Sequence, residues 1–277
     1  MRADHILKTV RARLDRAAGR LGGTPQSGSL AGAAKAAWQW VREPALMVAI
    51  VLGSTTAIAQ PFYVPSGSME PTLQIGDEIM TAKYSYGYGK YAVPFGSIGF
   101  VKGRLFADTP ERGDVVVFHP VSDPHHNWVK RVIGLPGDRV RMRDGRLWLN
   151  GSELPLRRDG LGAVESGDGI HRDVPRYVET LPGGREHPIF KWQWQGPLDN
   201  TAEVTVPAGQ IFVMGDNRDD SFDSRVPQAD GGIGFVPLDN LVGHAKFVLG
   251  SVDYLNASSI LGWPAEFRLS RLFKPFH

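Results

Sequence analysis

The chain has 277 residues, a formal charge of +2 and no cysteine, which excludes disulfide staples, thiol catalysis and cysteine-based zinc sites. It is long enough for one large or two modest domains with a real core. Residues 1–43 carry eight Lys/Arg against three acids, while the rest carries 23 basic and 26 acidic residues, and so slightly acidic a folded part argues against nucleic acid as a partner.

Residues 1–43 read as a basic cytoplasmic segment, since a positive flank ahead of an apolar run tends to stay in the cytoplasm. Ile6–Leu21 has the composition of a short helix, and LGGTPQSGSLAGAAKAA reads as a flexible lead-in. No charged residue then occurs between Glu43 and Glu70. Within that window PALMVAIVLGSTTAIAQPFYV, Pro44–Val64, would cover about 31 Å as a helix, close to the hydrocarbon thickness of a bilayer. Trp38 and Trp40 precede it, and Phe62 and Tyr63 close it, as in interfacial aromatic belts. This predicts a single transmembrane anchor over 44–64. Residues 65–277 then lie on the extracytoplasmic side of the inner membrane, the periplasm in a Gram-negative cell. Two alternatives are a buried core helix and a cleaved leader, for which AIA at Ala57–Ala59 has the small-x-small form.

Past Asp77 the pattern is one of short strands with turn signals. DEIMTAKYSYG reads as a strand, and so does GDVVVFHP, an apolar β-branched run bounded by Gly-Asp and His-Pro. NWVKRVIGLPGDRVRMRDGRLWLNG predicts a strand, a turn at Leu135–Asp138, a second strand, a tight turn at Asp144-Gly145, a third strand and Asn150-Gly151. AEVTVPAGQIFVMGDN gives two more strands and LVGHAKFVLG a last one. Residues 65–150 and 201–254 are thus two parts of one core. Residues 151–200 are polar, loop-rich and weakly periodic, and read as an inserted subdomain. Residues 255–277 end in EFRLSRLFKPFH and form a basic amphipathic tail, resting on anionic lipid or solvated. The fold class is mainly β: one N-terminal transmembrane helix, then an antiparallel sheet domain with a β/loop-rich insertion.

Most conventional sites are absent from the sequence. There is no HExxH, no GxSxG elbow and no phosphate-cradling Gly-rich loop. His119, His125 and His126 share a Pro-flanked loop, but no carboxylate in helical register completes a metal set. No metal and no cofactor is expected. A serine can instead be activated by an uncharged lysine, whose amine takes the hydroxyl proton. At an ordinary pKa near 10.4 only about one lysine in 2,500 is neutral at pH 7, a penalty of about 4.6 kcal/mol, and burial among apolar groups removes most of it. Such a lysine must point inward from an apolar strand. Lys130 in NWVKRVIG does so, with Arg131 on the opposite face. The competing reading is a solvated basic pair on a strand edge. The stretch VPSGSMEPTLQIGD offers the serines, and Pro65 and Pro71 keep it out of a helix.

PSGSMEPTL, GDVVVF, VKRVIGLPGD and GDNRDDSFDSR occur in this order after the apolar segment. Through them the chain resembles the bacterial type I signal peptidases, or leader peptidases, which use a Ser-Lys dyad. The resemblance covers roughly residues 44–150 and 205–250. It implies Ser68 as nucleophile and Lys130 as general base, with Ser66 and the Ser68 N–H as the oxyanion hole. It implies Ser221 as the hydroxyl that orients the lysine, and Asp223 with Arg225 as an ion pair holding that loop. Phe62, Val64, Pro65, Met69, Leu73, Trp128 and Val129 match the walls of narrow apolar substrate pockets. Such pockets select small residues, hence Ala-x-Ala before the scissile bond. The implied protein is a membrane-anchored serine endopeptidase, a monomer, whose partners are signal-peptide-bearing precursors and the lipid bilayer. Two departures stand out: no second apolar run in residues 1–36, and a short insertion, Val226–Gly234, next to the site. The alternatives are a dedicated maturation peptidase of the same Ser-Lys type and a membrane-tethered β module that binds apolar peptides without cutting.

Overall fold

The computed structural model describes residues 30–92, 103–165, 171–253 and 267–276. The chain divides into two compact units, 1–52 and 53–277. Helix α1, Leu30–Ala57, contains Pro44. Its first turns are the Ala-rich Leu30–Ala37, expected above as part of a flexible lead-in. They are helical because alanine is the strongest helix former. The short helix expected over Ile6–Leu21 lies outside the described residues. Leu46, Met47, Val48 and Ile50 are each 56–68 % exposed, so apolar side chains stand on all sides of α1.

Among the described residues, no helix is long and apolar enough to cross a membrane. The uncharged part of α1, Pro44–Ala57, is about 21 Å long, against a hydrocarbon core of about 30 Å. The helix stops at Ala57, short of the Val64 end of the predicted span. Ala59–Tyr63 is instead strand β1, paired antiparallel with β2, Asp77–Ala82. Pro61 sits comfortably there, because β1 is an edge strand and a missing amide donor breaks no ladder.

The second unit is built on a seven-stranded sheet. Besides β1 and β2 it contains β3 (Val115–Phe118), β4 (Trp128–Gly134), β12 (Gln210–Met214), β13 (Val236–Pro237) and β14 (Leu241–Ser251). The order is β1-β2-β14-β3-β4-β12-β13, and every pairing is antiparallel. Strand β3 explains the unbroken VVVF. Val115 and Val117 pack with Met69, Leu73 and Ile79 in one cluster, while Val116 and Phe118 pack with Val132, Ile211 and Val213 in another. Both faces are buried, so no polar alternation survives.

A second sheet, β11-β5-β6-β7, comprises Val204–Thr205, Arg139–Arg143, Arg146–Leu149 and Ser152–Glu153. Its hairpin turns at Asp144-Gly145, both with positive φ (50° and 74°). The insertion, expected as β/loop-rich, contains a three-stranded sheet, β8-β9-β10: Leu156–Glu165, His171–Thr180 and Glu186–Phe190. Its own apolar cluster is small, with Val164, Val174 and Phe190 buried.

The C-terminal segment departs from the expected lipid-resting or solvated tail. Arg271 is buried and forms an ion pair with Asp77, with its Nε 2.8 Å from Oδ1. Its Nη2 also donates to Thr72 O at 3.1 Å, and Arg268 Nη1 donates to Ile75 O at 2.8 Å. Arg268 and Arg271 thus serve partners on the loop after Ser68, while Leu269, Leu272 and Phe273 between and beyond them are exposed.

Candidate active site

Ser68 lies in a short 3-10 turn, Gly67–Met69, just past β1. Residues 70–77 then lead into β2, with Met69 and Leu73 fully buried beneath. Lys130 comes from β4, in register with Val116 of β3. The two meet: Lys130 Nζ donates to Ser68 Oγ at 2.5 Å. Lys130 is 3 % exposed. Burial pulls its pKa down from 10.5 to about 8; Asp223 opposes that shift and Arg225 adds to it. Trp128, two residues away on the same face, places its ring centre 5.6 Å from Nζ.

Arg131 points to the opposite face, as expected, and is fully buried. It reaches Asp216 through two nitrogens, at 2.8 and 2.7 Å, and donates to Gly113 O at 2.7 Å. Thr72 Oγ1 donates to the same Asp216 at 2.5 Å. The loop after β12 therefore ties the segment after Ser68 to the strand of Lys130.

That loop, residues 215–225, packs directly on Ser68. A Cβ at Gly215 would lie 2.2 Å from Ser221 Oγ and 2.4 Å from Ser68 O, so only glycine fits. Asn217 holds the turn of Ser68 from its other side. Its N–H donates to Ser68 O and its Nδ2 to Gly67 O, each at 3.1 Å. Asp223 and Arg225 form a buried pair, with Nε–Oδ1 and Nη2–Oδ2 both 2.8 Å, and Gly215 N–H donates to Asp223 Oδ2 at 3.0 Å. Burial pushes the Asp223 carboxyl up; Arg225 and the Gly215 amide more than offset this and hold it below its ordinary value.

Ser66 Oγ lies 3.5 Å from Ser68 Oγ, at the exposed side of the turn. Ser221 is buried in the same groove. Among the described residues no hydrogen bond joins its hydroxyl to Lys130. The groove holds about 920 Å³, and Phe62, Pro65, Trp128 and Val129 line it beside Ser66, Ser68 and Lys130. Val64, Met69 and Leu73, expected as pocket walls, do not line it. They are 0–1 % exposed and belong to the core cluster with Ile79 and Val115. The expectation failed because apolar residues beside a nucleophile look alike in sequence whether they face substrate or core. Among the described residues no group of three or more His, Asp or Glu could hold a metal ion.

Several site residues carry no sequence signal that was read above. Asn217 and Asp216 belong to a motif quoted whole, but their partners lie far away in sequence. Phe222 lines the groove opposite Trp128, with ring centres 6.3 Å apart. Asp123 binds both His126 Nδ1, at 2.7 Å, and Trp128 Nε1, at 3.1 Å. A clue to Arg131 and Asp216 was available: a charged residue inside an apolar strand needs a buried partner.

The family model "Signal peptidase, peptidase S26" matches residues 37–250. The chain belongs to that family. A signal peptidase I of Rickettsia typhi is 39 % identical over 245 residues, covering 82 % of this chain and 89 % of the relative. One from Rickettsia akari is 38 % identical over 247 residues, covering 83 % and 90 %. A crystal structure of a signal peptidase I from Enterococcus faecalis covers 50 % of this chain and 97 % of its own, at 26 % identity and a TM-score of 0.28. The chain is accordingly an enzyme of the S26 peptidases, a family of serine peptidases that cleave signal peptides.

Proposed function

We propose that this chain cuts signal peptides from exported precursors with Ser68 as nucleophile and Lys130 as general base. The observation that carries this reading is the 2.5 Å contact between Lys130 Nζ and Ser68 Oγ on a lysine that is 3 % exposed. With a pKa of about 8, about one lysine in eleven is neutral at pH 7, a penalty of about 1.4 kcal/mol instead of nearly 5.

The neutral amine takes the Ser68 proton as Oγ bonds to the scissile carbonyl carbon. The resulting oxyanion is held by the Ser66 hydroxyl and the Ser68 N–H. The ammonium then returns its proton to the departing amine as the C–N bond breaks, leaving an ester on Ser68. Water gives a proton to Lys130 while its oxygen attacks the ester, and Ser68 leaves with that proton. Ser221 and the Asp223–Arg225 pair keep the lysine's surroundings in place.

Phe62, Pro65, Trp128 and Val129 supply apolar walls that favour small side chains, which supports cleavage after Ala-x-Ala-like sites. The exposed apolar side chains of α1 support attachment to a bilayer, with the basic residues 1–43 in the cytoplasm and the peptidase unit outside it. A precursor with an Ala-x-Ala site tests the cleavage position. Mass spectrometry of the products should show one cut, directly after the second alanine. A cut elsewhere, or intact precursor, would contradict the assignment. Protease digestion of intact and opened cells tests the sidedness.

A further inference from the structure

The inserted sheet β8–β10 has little core of its own, yet it grips a four-residue stretch of the loop that touches Ser68. Phe190, at the end of β10, pairs in parallel with Asn217. Its N–H donates to Asp216 O and its carbonyl accepts from Arg218 N–H, each at 3.0 Å. Arg218 sends both terminal nitrogens to Glu179 of β9, at 2.8 and 2.5 Å, and both residues are buried. Lys191, fully buried, donates to Asp219 and, at 2.5 Å, to Asp199. The backbone N–H groups of Trp192 and Gln193 each donate to Asp219 Oδ2 at 2.7 Å. Asp216, Arg218 and Asp219 are thus each bonded from the insertion, with Asn217 held between them.

The grip is passed on in two directions. Asn217 uses its N–H and its Nδ2 to fix the carbonyls of Ser68 and Gly67. Those two carbonyls set the orientation of the nucleophile's turn. Arg218 O accepts from Arg225 Nη2 at 2.8 Å, so the same segment also seats the Asp223–Arg225 pair beside Lys130. Buried ion pairs are poor sources of net stability, because desolvation cancels most of the attraction. They are specific about geometry, since an unpaired buried charge is costly and each displacement strips several bonds at once.

We propose that the inserted sheet is a positioning frame for the reaction, with Glu179 and Lys191 holding residues 216–219, and through Asn217 the turn of Ser68, in the geometry for attack. The frame rests on the Ser68–Lys130 reading above. Neither Glu179 nor Lys191 lines the groove, so each acts through the loop rather than on substrate.

The test uses the full chain in detergent with a signal-peptide-bearing precursor. Lys191→Met removes the cation and roughly keeps the volume; Glu179→Gln keeps the shape and removes the charge. Arg157→Ala, on the outer strand of the insertion, is the control. Kinetics and thermal unfolding are measured on each, beside Ser68→Ala. For the two frame variants kcat should fall about 10- to 100-fold; KM should change less than about threefold for Glu179→Gln, while Lys191→Met also releases Asp219, which lines the groove, and is read on kcat. The control should match the intact chain. A purely structural role would lower the unfolding midpoint and leave kcat of the folded fraction unchanged. If folded Lys191→Met and Glu179→Gln keep kcat within about twofold while Ser68→Ala is inactive, the frame is overturned and the dyad stands. If only one of them folds, that one decides. If neither folds, the insertion serves stability and the proposal fails. An active Ser68→Ala would instead overturn the dyad itself.

Discussion

Asp223 and Arg225, two residues apart, form a buried ion pair whose charges push Lys130 in opposite directions: the carboxylate favours its ammonium form and the guanidinium disfavours it. The pair lets a carboxylate sit near the general base without restoring the lysine's charge. Activity requires the neutral amine, so cleavage should rise with pH along a limb centred near 8. Arg225→Gln leaves Asp223 unopposed and should move that limb to higher pH. Asp223→Asn should move it to lower pH. Each shift of one pH unit changes the neutral fraction well below the pKa about tenfold. The pH dependence of kcat/KM for the three proteins checks this, and shifts of the same sign would contradict it.

The lysine that serves the reaction costs the fold. Its pKa falls from 10.5 in the unfolded chain to about 8 when folded, a difference of about 3 kcal/mol. The unfolded chain binds the extra proton between these values, so the Lys130 contribution destabilises fully below about pH 8. The cost fades as pH rises towards 10.5. Lys130→Met should therefore be inactive yet unfold at a higher temperature at pH 7, with the gain shrinking above pH 8. Calorimetry at pH 7 and pH 10 measures it.

Ser66 stands beside Ser68 on the exposed side of the turn. In the role proposed for it, as an oxyanion donor, it would act mainly in the transition state. Ser66→Ala should lower kcat about 10²- to 10³-fold with little change in KM or stability. An equal rise in KM with kcat unchanged would assign Ser66 to substrate binding instead.

Arg271 closes the C-terminal segment onto the loop after Ser68 by pairing with Asp77. Arg271→Ala leaves a buried carboxylate without its main partner and should cost about 3–5 kcal/mol, read from urea unfolding. The double variant Arg271→Ala with Asp77→Asn should recover part of that loss.

Local chemistry made part of this fold legible. The stretch Trp128–Asn150 gave three strands and two turns because apolar alternation and Asp-Gly state the geometry within a few residues. At the end of the apolar segment Pro61 signals that the helix stops, but nothing local signals the strand that follows. Uncharged composition runs unbroken through Ala57–Tyr63, while the backbone changes there from helix to an edge strand. Strands β8–β10 were not located within residues 151–200, because their buried apolar cluster is small, Val164, Val174 and Phe190, and leaves little periodic pattern. In the site, Ser68 and Lys130 could be named only through the resemblance of PSGSMEPTL and VKRVIGLPGD to the family's motifs, because an apolar strand alone leaves Lys130 open between a buried base and a solvated edge residue. Val64, Met69 and Leu73 could not be sorted between groove and core, because that depends on packing from strands distant in sequence.

The account turns on the charge state of one amine. Nitrogen-15 NMR of lysine-labelled protein, with Lys130 assigned from its Lys130→Met difference spectrum, follows that amine directly through pH 6–11. It should lose its proton near pH 8, in step with the rise in cleavage. A Lys130 that stays protonated above pH 10 while the chain cleaves precursor at pH 7 with an unchanged profile would contradict the account.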